Sequence, residues 1–124
     1  MKSENIKITV NTAFVEEQSD PVENKYVYAY HISIANTGEK PAKLISRYWH
    51  ITDELNEVQE VLGEGVVGVQ PYLGPGESYS YTSGVVLKTS TGLMTGHYVM
   101  KAETGEKFKA PIPTFALVQP QAVH

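Results

Sequence analysis

Tyr26, Tyr28, Tyr30, Ile32 and Ile34 alternate without a break with Val27, Ala29, His31, Ser33 and Ala35. A repeat of two is the repeat of an extended strand, whose successive side chains point to opposite faces. Aromatic and β-branched residues fit that pleated, half-buried surface. The same pattern holds earlier, where Ile6, Ile8, Val10 and Phe14 alternate with Lys7, Thr9, Asn11 and Ala13. Nowhere does a 3.6-residue period run between a cap and a stop signal. The chain is therefore expected to be all-β.

The remaining strands follow from the same reading. Ala42–Thr52 carries Leu44, Ile45, Tyr48, Trp49 and Ile51, and the adjacent Tyr48 and Trp49 suggest a β-bulge near Ser46–Arg47. D-E-L-N-E (53–57) reads as a hairpin turn into a short strand, Val58–Leu62. Further strands are expected at Tyr79–Leu87, at Gly96–Ala102 and Lys107–Ile112 around Thr104-Gly105, and at Thr114–Val118, before Q-P-Q-A-V-H frays. Polar or Gly/Pro-rich loops separate them at 16–25, 36–41 and 89–92. Residues 63–77, with five glycines and two prolines, are expected to lack regular structure. About seven to nine short strands with turns at this spacing make an antiparallel β-sandwich. With 124 residues there is room for one core, hence one domain over 1–124. Leu73–Tyr79 (L-G-P-G-E-S-Y) resembles the L-x-P-G-x-x-Y turn of fibronectin type III and related immunoglobulin-like domains, and Trp49 suits the core of such a sandwich.

Several classes of function are disfavoured. Ten Lys+Arg against fourteen Asp+Glu give a net charge of −4, the wrong sign for a nucleic-acid partner. There is no cysteine, hence no disulfide framework, thiolate zinc site or thiol nucleophile. The start shows no secretory pattern, and no apolar run approaches the ~20 residues of a membrane helix, so a cytoplasmic protein without membrane insertion is expected.

Four groups of residues invite chemistry. Gly63-Glu64-Gly65-Val66-Val67-Gly68 matches G-x-G-x-x-G, but that motif needs a helix behind it, and Pro71 and Pro75 follow. No Lys or Arg occurs from Tyr48 to Leu87, so a phosphate there is expected to meet repulsion. Asp53, Glu54, Glu57 and Glu60 are weak candidates for a hard cation, although a solvated hairpin explains them as well. His31, His50, His97 and His124 show no metal-ligand spacing, and Tyr81-Thr82-Ser83-Gly84-Val85 lacks the first glycine and the helix of a nucleophile elbow. Arg47, the sole arginine, is either packed and paired or in contact with a ligand. No catalytic residue and no cofactor is indicated. Gly63, Gly65, Val66, Val67, Gly68, Val69 and Tyr72 are the candidate ligand or interaction loop. Its valines either plug one end of the sandwich or form an exposed patch for a partner.

Taken together, E-E-Q-S-D-P (16–21), Y-V-Y-A-Y-H-I-S-I-A-N-T-G (26–38), S-R-Y-W-H-I-T-D (46–53), V-Q-E-V-L-G-E-G-V-V-G-V-Q-P (58–71), L-G-P-G-E-S-Y-S-Y-T-S-G (73–84) and the closing F-A-L-V-Q-P-Q-A-V-H resemble the bacterial ApaG family, also called CorD. One departure is D-E-L-N-E, which lacks the N-G that the family often places after its Asp and leaves the turn type open. The resemblance implies a fibronectin type III-like sandwich and a link to cobalt tolerance and magnesium efflux. It also implies an interaction module, since the domain occurs within eukaryotic F-box proteins and a polymerase-interacting protein. It brings no catalytic residues. Two readings follow: a non-enzymatic module for protein–protein interaction, or a direct binder of a small ligand, either a divalent cation or a nucleotide or pyrophosphate.

Overall fold

The computed structural model describes residues 5–119. Of the Q-P-Q-A-V-H segment (119–124) expected to fray, all but Gln119 lies outside them, His124 included. Eight strands form among the described residues: β1 (Ile6–Phe14), β2 (Tyr26–Asn36), β3 (Ala42–Asp53), β4 (Val58–Glu64), β5 (Tyr72–Leu73), β6 (Ser78–Leu87), β7 (Gly92–Ala102) and β8 (Lys107–Leu117). They build two antiparallel sheets, one ordered β1-β2-β6 and the other β4-β3-β7-β8, with β5 also paired to β3. This is a fibronectin type III-like, immunoglobulin-like sandwich of the kind the alternation required.

The inward residues of each strand make the core. In β2 these are Tyr28, Tyr30, Ile32 and Ile34, and in β3 they are Leu44, Trp49 and Ile51. Trp49 is only 1% exposed and meets Tyr30, Tyr98 and Phe115 edge-on at ring separations of 5.4, 6.5 and 5.8 Å. Such contacts add to the area an aromatic buries. Val27, on the outer face of β2, is buried as well because the 16–25 loop covers it. Val15 N–H donates to Val27 O at 2.8 Å, and Val27 N–H donates to Ser19 Oγ at 2.9 Å.

Four expectations are corrected. The bulge in β3 falls at Ile45, between Leu44 and Ser46, not at Ser46–Arg47. Tyr48 and Trp49 need no bulge, because they sit on opposite faces: Tyr48 points outward, stacks on His97 at 5.2 Å and donates to Glu60. Residues 63–77 are not wholly irregular, since Gly63 and Glu64 end β4 and Tyr72–Leu73 pair with β3. The strand beginning at Gly96 in fact starts at Gly92, and Lys107–Ile112 and Thr114–Val118 are one strand, β8. The register of β7 on β8 shifts between Met94 and Gly96, and Pro113 falls in the irregular stretch of β8, where a missing N–H costs no ladder bond.

The fibronectin-like turn is tied down by Asn36, the one buried polar residue among those described. Its Nδ2 donates to Lys40 O and Leu73 O at 2.8 and 3.0 Å, and its backbone N–H donates to Glu77 O. Gly76 holds φ +80 after Pro75, the pattern of a type II turn.

Candidate functional site

β4 and β5 run in the same direction along β3 and together form a single interrupted edge strand. β4 pairs with Ser46–Thr52 and β5 with Ala42–Lys43. Between them, opposite the bulged Ile45, residues 65–71 leave the sheet as a small finger. Ile45 O accepts from Gly65 N–H at 2.8 Å and from Gln70 Nε2 at 2.9 Å, which clamps the base of the finger. Val66 and Val69 exchange backbone hydrogen bonds of 2.8 and 3.0 Å. The two residues between them, Val67 and Gly68, both take positive φ, +47 and +77. That is the pattern of a two-residue I′ hairpin turn.

The two fates expected for the loop valines are divided between neighbours. Val66 is fully buried and plugs the sandwich with Leu73, while Val67 at the tip is 63% exposed. Val69, Tyr72 and the nearby Leu62 are exposed too, Tyr72 at 65% and Leu62 at 79%. A β-branched residue in the left-handed region is rare and strained. Asn or Gly would serve the turn better.

The glycine motif is not built as a phosphate cradle. The Gly65 N–H is spent on Ile45 O of β3 and those of Val66 and Val69 on each other, and a strand rather than a helix follows. The argument from charge, however, is corrected. Arg47 lies two residues before Trp49 on β3 and so faces inward with it, directly across from Gly63. Its Nη1 donates to Glu64 O at 3.2 Å and Gly65 O at 3.0 Å. A Cβ on Gly63 would stand 2.7 Å from Nη1, so glycine is required for the guanidinium to lie there. The cation missing between Tyr48 and Leu87 comes from the neighbouring strand, and the parity of Arg47 with Trp49 is the sequence signal that would have found it.

The four acidic candidates are not brought together. Asp53 Oδ1 accepts from the N–H groups of Leu55 and Glu57 at 2.8 and 3.0 Å. Glu54 Oε1 accepts from Ser90 and Thr91 hydroxyls at 2.8 and 2.6 Å, and these bonds hold its carboxyl below the ordinary range. Glu57 pairs with Lys88 at 3.9 Å, and Glu60 accepts from Tyr48 Oη at 2.7 Å. Each carboxylate serves its own neighbour, and among the described residues no group of three His, Cys, Asp or Glu could hold a metal ion. The turn left open by the missing N-G is closed by Asn56 at φ +61, with its N–H donated to Asp53 O.

The histidines stay apart. His31 Nδ1 lies 2.8 Å from Thr82 Oγ1 on an exposed face, and the side-chain hydrogen bond of His50 is a long one to Thr52. Burial beside Lys109 lowers the pKa of His97. The buried pair Tyr81 and Tyr98 joins the two sheets through hydroxyls 2.5 Å apart. Burial pushes Tyr81 up to about 12 and Tyr98 higher still, so both phenols stay protonated at neutral pH and neither is a base. Ser83 sits in the middle of a strand, with no helix behind it.

Comparison with known proteins agrees with this architecture. The family described as ApaG domain matches residues 16–102. Among curated relatives, Protein ApaG of Aromatoleum aromaticum is 55% identical over 119 residues, covering 96% of this chain and 94% of its own. Protein ApaG of Agrobacterium fabrum is 53% identical over 115 residues, covering 93% and 88%. The crystal structure of a Bordetella pertussis protein under the name ApaA superposes with a TM-score of 0.91 at 49% identity over 94% of each chain.

Proposed function

The chain belongs to the ApaG family, and on that premise we propose that it is a non-enzymatic binding module, with residues 1–124 acting as one domain, that docks a protein partner through the finger at 65–69 and the apolar residues beside it. One observation carries this reading: Val67 is held at a strained, positive φ at an exposed tip. Strain kept at the surface in an apolar side chain contributes nothing to the core, and such strain gathers where a surface is used. Val69, Tyr72 and Leu62 extend the apolar area beside it. The cobalt and magnesium association implied by the family is then indirect and runs through the partner. Each acidic side chain of the 53–60 hairpin already serves a neighbour.

The test compares wild type with a Val67→Asn/Tyr72→Ser double variant in quantitative affinity capture from cells, beside thermal melts. The expected result is a folded variant that loses the specific partner. A folded variant that recovers every wild-type partner at the same level would remove the finger from the reading.

A further inference from the structure

The two sheets approach along β1 and β8 but stand open on the opposite side, where β4 and β6 are both free edges. The gap between these edges is a cavity of about 340 Å³, lined by Tyr30, Arg47, Trp49, Gln59, Val61 and Ser83 among others. That volume falls at the small end of natural ligand sites. Gln59 straps the opening by donating its Nε2 to Val86 O at 3.3 Å.

One side chain on this cavity is a cation with no counter-charge among the described residues. Trp49 also lines the cavity, but its Nε1 is closed off from it and has no partner among the described residues. The hydrogen bonds of Arg47 to described residues run from Nη1 to two backbone carbonyls. Arg47 forms no ion pair with any carboxylate among the described residues. A guanidinium turned inward between two sheets loses hydration and is costly without an opposite charge. An oxyanion in the cavity meets that deficit.

We propose that the β4–β6 cleft binds a small organic carboxylate, with the anion on the Arg47 guanidinium and the apolar body against Tyr30, Trp49 and Val61. A planar guanidinium matches a carboxylate in a two-point geometry. One cation balances one negative charge. A doubly charged phosphate calls for more than one cation or a nest of free backbone amides, and the amides of Gly65, Val66 and Val69 are already bonded. The aromatic and aliphatic walls call for an apolar body behind the anion. This site is separate from the protein-docking finger.

Benzoate is a suitable probe. The protein holds a single tryptophan, so its one indole N–H resonance in a ¹⁵N-labelled sample reports on this cleft alone. Titration with benzoate is expected to shift that resonance and the Arg47 side-chain resonance together and saturably, while neutral benzamide leaves them unmoved. Arg47→Lys keeps the charge but not the fork and should weaken binding about tenfold. Since Arg47 also braces the finger, Ser83→Leu provides an independent check, filling the cleft from β6 and abolishing the shifts in a protein whose spectrum stays dispersed. Val67→Asn should leave benzoate binding unchanged, which separates this proposal from the docking reading. The proposal is overturned if benzamide matches benzoate, if inorganic phosphate binds the same resonances as tightly, if Ser83→Leu binds normally, or if no saturable shift occurs.

Discussion

At Val67 the chain accepts a backbone conformation that a β-branched side chain resists. An L-residue in the left-handed region costs about 1–2 kcal/mol, whereas Asn and Gly adopt it readily. Val67→Asn touches nothing in the core, since the native side chain is exposed. It is expected to stabilise the protein by about 1 kcal/mol and to raise the melting temperature by a few degrees, measured by calorimetry. An unchanged or lower melting temperature would mean that the turn carries no strain. Gly63 and Arg47 show the opposite economy. There the absence of a side chain on one strand makes room for the only arginine, which lies on its neighbour.

At the scale of elements, the junction between the β3–β4 turn and the segment before β7 depends on one carboxylate. Glu54 accepts from both Ser90 and Thr91, and Glu54 N–H donates to Thr89 Oγ1. Its folded pKa is lowered, so its contribution to stability is fully present above the unfolded value of about 4.3 and is lost as pH falls through the lower folded value. Wild type is thus expected to melt above Glu54→Ala at pH 6, with the gap closing as the pH is lowered through that window in a series of melts. A gap independent of pH would assign the effect to packing. The elements themselves were legible where alternation is strict, as in β2, whose inward tyrosines and isoleucines could be read directly. They were less legible where a strand is interrupted. Nothing local distinguishes Tyr72–Leu73 from a loop, because those two residues form a strand only by pairing with Ala42 and Lys43, some thirty positions earlier. The candidate site suffered from the same non-locality. The prolines behind the glycine motif already spoke against a phosphate loop, but the partners of the Gly65, Val66 and Val69 amides are supplied only by the folded chain.

For the whole molecule, an open sandwich has strands whose outer hydrogen-bonding groups face solvent, and such borders invite other chains to add themselves. The β4–β5 border is the longest available on its side of the larger sheet, and the finger cuts it after the seven residues of β4. The excursion therefore interrupts a border along which a second copy could otherwise add itself. Replacing residues 65–71 with a two-residue Ser-Thr link would let Val58–Glu64 run on into Tyr72–Leu73 as one uninterrupted border. That variant is expected to self-associate with rising concentration beyond wild type, as followed by sedimentation velocity and thioflavin fluorescence, and equal behaviour of the two proteins would deny the finger this protective role. Should the variant self-associate, the strained hairpin tip proposed for docking would also guard the solubility of the cell's whole pool of this protein.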